Sequence, residues 1–103
     1  SPGMSIYGSS KAALNHLAEN LAYDLGPMGI RINNVGPGAT RTHALSTVMT
    51  PALERRMLAH TPIKRLGEVS DIAAAVLYFA SPASAWVSGQ TLMVNGGGVQ
   101  TLD

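Results

Sequence analysis

The chain has 103 residues, 46% hydrophobic and 13% charged, which is the make-up of a soluble globular domain and excludes a disordered or fibrous segment. A net charge of +1, carried without any basic run, excludes the dense phosphate-neutralising surface that nucleic acid requires. The chain has no cysteine, so disulfides and thiolate metal sites are absent, and His16, His43 and His60 stand too far apart for a local ligand set. No apolar run approaches the roughly 20 residues of a spanning helix. A cytoplasmic protein with no metal and no membrane contact is expected.

Ser1-Pro2-Gly3-Met4 reads as a turn with neither a basic nor an apolar leader region, and position 1 is not methionine. A processed or truncated chain is therefore expected. From Ser5 to Leu25 the residues Leu14, Leu17, Ala18, Leu21 and Leu25 recur every three or four positions, the stripe of an amphipathic helix, and Gly26-Pro27 ends it. Ile30 to Val35 is rich in β-branched residues and predicts a strand running into the sharp turn Gly36-Pro37-Gly38. A helix follows from Pro51 to His60 with Thr50 as N-cap, and a third starts at an Ser70 cap and runs to Ala80, where Ser81-Pro82 stops it. Gln90 to Asn95 predicts a second strand. Two strands separated by helices require a parallel pairing, and two parallel strands alone leave edges and faces uncovered, so the pattern reads as half of a larger α/β sheet.

Tyr7 and Lys11 are four residues apart on the first helix and differ by only about 40° around its axis. They share the face of Leu14, Ala18, Leu21 and Leu25, whereas His16, Glu19, Asn20 and Asp24 point elsewhere. An ammonium on an inward stripe is costly to desolvate unless it is used, and beside a phenol it favours the phenolate, moving a tyrosine towards general acid–base work. A core-edge tyrosine and a lysine that snorkels past the helix end would show the same spacing. The apolar positions Leu45, Val48, Met49, Leu53, Met57 and Leu58 suit either a lid over a hydrophobic ligand or an ordinary packing helix. Gly36-Pro37-Gly38 is likewise either a plain strand-ending loop or part of a site.

Tyr7-Gly8-Ser9-Ser10-Lys11-Ala12-Ala13 resembles the active-site helix of the short-chain dehydrogenase/reductase family. Three further blocks occur in that family's order. They are Ile30-Arg31-Ile32-Asn33 with Pro37-Gly38-Ala39-Thr40-Arg41-Thr42, Arg65-Leu66-Gly67 with Asp71-Ile72-Ala73, and Ser88-Gly89-Gln90-Thr91-Leu92-Met93-Val94-Asn95-Gly96-Gly97. Ala44-Leu45, His60-Thr61-Pro62-Ile63 and Ala85-Trp86-Val87 are similar to the bacterial 7α-hydroxysteroid dehydrogenases within it. The resemblance implies the C-terminal half of a Rossmann-type doubly wound parallel sheet, with residues 1–103 as one portion of a single domain: active-site helix, Pro-Gly loop, substrate lid, last helix and last strand.

The same resemblance implies that Tyr7 exchanges a proton with the substrate oxygen and that Lys11 lowers its pKa and holds the nicotinamide ribose. Pro37 and Gly38 would bring backbone to the nicotinamide, and Thr42 would contact its carboxamide or the adjoining phosphate. Thr40, where the family usually has an aliphatic residue, completes the cofactor-binding set of Tyr7, Lys11, Pro37, Gly38, Thr40 and Thr42. The implied cofactor is NAD or NADP, the implied substrate a small hydrophobic alcohol or ketone such as a hydroxysteroid, and the implied assembly a homo-oligomer. A 3-oxoacyl carrier-protein reductase shares every motif, and a non-catalytic self-associating piece is the different-class alternative. Neither the glycine-rich dinucleotide turn nor the family's serine on the preceding strand is found, so the chain by itself is expected to be inactive.

Overall fold

A computed structural model describes residues 5–98, with side chains from residue 9 onward; the turn expected at 1–4 and the tail at 99–103 lie outside the described residues. In chain order the elements are α1 (Ser5–Leu25), β1 (Asn34–Pro37), α2 (His43–Ser46), α3 (Pro51–Leu58), α4 (Val69–Ala80) and β2 (Thr91–Val94), with 3-10 turns at Gly26–Met28 and Pro82–Ser84. β1 and β2 pair in a two-stranded sheet. Asn34 N–H donates to Gln90 O and Gly38 N–H to Val94 O, a constant offset along both strands, so the pairing is parallel and the chain is α/β as expected. Two compact units are distinguished among the described residues: 5–34 with Tyr78–Leu92, and Val35–Leu77 with 93–98. Among the described residues no helix is long and apolar enough to cross a membrane.

In the first unit α1 ends where Gly26-Pro27 predicts, and Gly29, at φ 76°, closes the following 3-10 turn with its N–H on Gly26 O. The apolar stripe is narrower than expected. Ala18 is buried and Leu21 and Leu25 are half-buried, but Leu14 and Leu17 are 59% and 50% exposed. The packing partner explains this: the loop at Gly89 lies against Glu19 and Ala22, so that a Cβ on Gly89 would stand 3.1 Å from that of Ala22. That loop covers the turns around Ala18 and Ala22.

The segment expected as strand from Ile30 begins as strand only at Asn34: side chains take part of its bonding, and Ile32 O accepts from Gly89 N–H at 2.7 Å. Ile32 N–H donates to Ser88 Oγ at 3.1 Å, while the Asn33 amide donates to Val87 O and accepts from Gln90 N–H. Arg31 staples the same region: its guanidinium donates to Phe79 O, Ser84 O, Ser84 Oγ and Val87 O at 2.9–3.3 Å. Ser84 is fully buried. Trp86, in contrast, is fully exposed and edges a shallow hollow with Ile30, Arg31 and Ala85.

In the second unit Leu66 and Ala75 are the buried apolar residues. Ser70 is not the cap of α4, which starts one residue earlier at Val69. Asp71 does the capping from inside the first turn: its Oδ2 accepts from Glu68 N–H at 2.7 Å and from the Arg65 guanidinium at 2.9 Å. The Arg65 hydrogen bond, followed by that of the Glu68 amide, holds the Asp71 carboxyl below the usual carboxylate range, and the same pair raises Arg65. Thr50 caps α3 as expected, its Oγ1 accepting from Leu53 N–H at 3.1 Å. That helix stops at Leu58, two residues short of the expected His60, where Thr61 N–H and Lys64 Nζ both turn to Leu58 O.

Candidate active site

The Pro-Gly turn is built in the second unit from the end of β1. Gly38 N–H donates to Val94 O at 2.9 Å, continuing the ladder one step past the strand. A Cβ on Gly38 would lie 2.7 Å from both Cα and Cβ of Asn95, so glycine is required there by a close backbone approach, without any need for positive φ. Asn95 shapes its own tight turn, accepting from Gly97 N–H and donating to Gly98 O. Pro37 is exposed.

Thr40 has a use the sequence did not reveal. Its hydroxyl donates to Gly38 O at 2.8 Å, so the proton is spent on the turn, which an aliphatic side chain could not do. The next residues run beside Gly67: Thr40 and Gly67 form a parallel bridge, Gly67 N–H donates to Ala39 O at 2.9 Å, and Arg41 N–H to Gly67 O at 2.7 Å. Thr42 then caps α2, its Oγ1 accepting from Leu45 N–H at 3.2 Å. The cap uses one lone pair, leaving the Thr42 O–H to donate to a carbonyl or phosphate oxygen.

The expected lid spans α2 and α3. Neither helix buries a residue: Leu45, Met49, Leu53, Met57 and Leu58 are half-buried and Val48 is 61% exposed. Beside α3 lies an open hollow of about 530 Å³ with Pro51, Leu58 and Ala59 in its wall and Glu54, Arg55 and Lys64 around it. Arg41 sits between two carboxylates, with Nη2 3.5 Å from Glu54 and Nε 3.5 Å from Glu68.

Tyr7 and Lys11 belong to the first unit. Both backbones are in α1; the Tyr7 side chain lies outside the described residues, and Lys11 is half-buried. The helix that carries them is tied down by amide and hydroxyl groups: Asn34 Nδ2 donates to Leu14 O at 3.3 Å, and Thr91 Oγ1 donates to Asn15 Oδ1 at 3.0 Å. Asn15, Asn34 and Thr91 carried no signal in the apolar pattern, because each acts through a partner distant in sequence.

The Pro-Gly turn stands beyond the carboxyl end of β1, the place where open parallel α/β sheets bind their ligands. The chain matches, over residues 1–98, the family model described as enoyl-(acyl carrier protein) reductase. It belongs to this short-chain dehydrogenase/reductase family. It is 57% identical over 100 residues to 7α-hydroxysteroid dehydrogenase of Escherichia coli K12, covering 97% of this chain and 39% of that protein. The solved structure of 7α-hydroxysteroid dehydrogenase complexed with NADH and 7-oxo glycochenodeoxycholic acid superposes with a TM-score of 0.83 at 57% identity, over 97% of this chain and 39% of that one. The crystal structure of 3-oxoacyl-[acyl-carrier protein] reductase from Brucella melitensis gives a TM-score of 0.81 at 35% identity, over 88% and 34%. The chain thus spans about two fifths of the length of these curated relatives.

Proposed function

We propose that this sequence supplies the active-site helix, Pro-Gly turn, substrate lid, last helix and last strand of one short-chain dehydrogenase domain, which interconverts a secondary alcohol and a ketone with NAD or NADP. The observation that carries the reading is the family match over residues 1–98, a span that includes Tyr7, Lys11, Pro37, Gly38 and Thr42. Support for a nicotinamide at the turn comes from the exposed Pro37 at the strand end and from Thr42, which keeps a hydroxyl proton for a carboxamide or phosphate oxygen. When bound, the cofactor supplies the hydride acceptor, or the donor in the reverse direction. Tyr7 takes the hydroxyl proton as the carbinol carbon loses hydride, and returns it to the carbonyl oxygen in reduction. Lys11 stabilises the phenolate and holds the ribose hydroxyls, while Thr40 acts indirectly by fixing the carbonyl of Gly38.

The substrate class we favour is a hydroxysteroid. Support comes from the higher identity to the 7α-hydroxysteroid dehydrogenase than to the oxoacyl reductase, and from the apolar side chains of α2 and α3. A homo-oligomer in the cytoplasm completes the proposal. Light scattering of an enzyme of the relatives' length tests the association. In an enzyme of the relatives' length carrying this sequence, a 7α-hydroxysteroid should reduce NAD or NADP faster than any oxoacyl thioester is turned over. Tyr7→Phe should lower that turnover by about 10²–10⁴-fold with cofactor still bound. Full activity in Tyr7→Phe would refute the assignment, and preference for the thioester would replace the substrate.

A further inference from the structure

We infer that Arg41 is a positioning residue that straps α3 to the Pro-Gly loop through Glu54 and so sets how often the lid opens. The inference rests on the reading of α2 and α3 as the substrate cover. α3 buries no residue, and among the described ion pairs Arg41–Glu54 is the one that reaches it. A helix with so little burial belongs to the part of a fold that opens locally at low cost, where a single tie has leverage.

The other end of the strap is fixed. Arg41 N–H is bonded to Gly67 O at 2.7 Å, and the adjoining residue Glu68 is held through its own N–H by Asp71, which Arg65 holds in turn. Separate nitrogens face the two carboxylates: Nε faces Glu68 and Nη2 faces Glu54, each at 3.5 Å. The guanidinium therefore stays oriented by Glu68 when α3 lifts away, and re-forming the Glu54 pair costs little further side-chain order. At 3.5 Å, with side chains 37–53% exposed, these pairs are open to screening by salt. Lid opening should thus rise with ionic strength.

Hydrogen exchange of the α3 amides in the intact chain tests this without cofactor or substrate. Glu54→Gln and Arg41→Leu should each speed α3 exchange about two- to fivefold, the range expected of one exposed ion pair, and the double variant should be no faster than either. Salt at 0.5 M or so should speed wild-type α3 exchange by the same factor and leave both variants unmoved, because about 3–5 Å of screening length removes the pair. Arg41→Lys should retain part of the salt response. Wild-type exchange indifferent to salt, or variants indistinguishable from wild type, would overturn the strap. In the active enzyme the same variants should shift kcat and KM for substrate together. Faster α3 exchange with unchanged kcat and KM would instead overturn the reading of α3 as the substrate cover.

Discussion

Replacing Gly38 by alanine should be among the most damaging one-carbon changes in the second unit. The added Cβ would lie 2.7 Å from Asn95 Cα and 2.7 Å from Asn95 Cβ. Carbon atoms rest at about 3.5–4.0 Å, so the main chain of the Pro-Gly turn or of the β2 end must yield by about 0.8 Å or more. The resisting atoms include backbone, and the turn is braced by the Gly38 N–H on Val94 O and the Thr40 hydroxyl on Gly38 O, so relaxation breaks bonds as well as packing. Overpacking of this kind costs about 1–3 kcal/mol. Two other glycines bracket the expectation. A Cβ on Gly36 would meet only the thioether end of Met93, at 2.5 and 2.9 Å, which a flexible side chain can vacate, so Gly36→Ala should cost less. Gly26 has nothing within 4 Å, and Gly26→Ala should be neutral or stabilise by up to about 1 kcal/mol through the unfolded chain. Urea midpoints for the three variants should fall in the order Gly26, Gly36, Gly38. Equal midpoints for Gly38→Ala and Gly26→Ala would refute the close-approach argument.

Two further outcomes follow from the polar contacts. Arg31→Met removes the donor to Phe79 O, Ser84 O, Ser84 Oγ and Val87 O and should destabilise by about 2–4 kcal/mol in the same assay, with Arg31→Lys recovering little because an ammonium lacks the planar fork; a loss below about 0.5 kcal/mol would count against the staple. The Asp71 carboxyl, lowered first by its Arg65 hydrogen bond and then by the Glu68 amide, contributes stability that is fully present above its unfolded value of about 3.9 and is lost as pH falls through its lower folded value. An NMR titration of that carboxyl should show the depressed midpoint, which Arg65→Gln moves upward; an ordinary midpoint in the wild type would contradict the pairing.

Periodic and punctuated features were legible in the sequence. α1 showed its length through the Leu14-to-Leu25 stripe and its end through Gly26-Pro27, and α3 showed its start through Thr50-Pro51. Features that depend on one side chain reaching a distant backbone were not. The strand start moved from Ile30 to Asn34 as the Ser88 and Asn33 side chains take part of the intervening segment's bonding, and no local pattern encodes that. The α4 cap moved from Ser70 to Asp71 because a carboxylate in the first turn can reach back to the preceding amide as well as a hydroxyl can accept from within. In the candidate site the residue types Tyr7, Lys11, Pro37, Gly38 and Thr42 carried a chemical signal by their spacing and family pattern. Thr40 looked like a departure, and only its bond to Gly38 O gives it a purpose. Arg41 carried no signal, since Glu54 and Glu68 lie on other elements.

The full exposure of Trp86 has a spectroscopic consequence. It is the single tryptophan of the chain, so indole emission reports one place, the rim of the hollow beside Ile30 and Arg31, in a water-like environment. A blue shift or loss of quencher access on association would mark the covering of that rim. The protein therefore comes with a built-in reporter for anything that covers that rim.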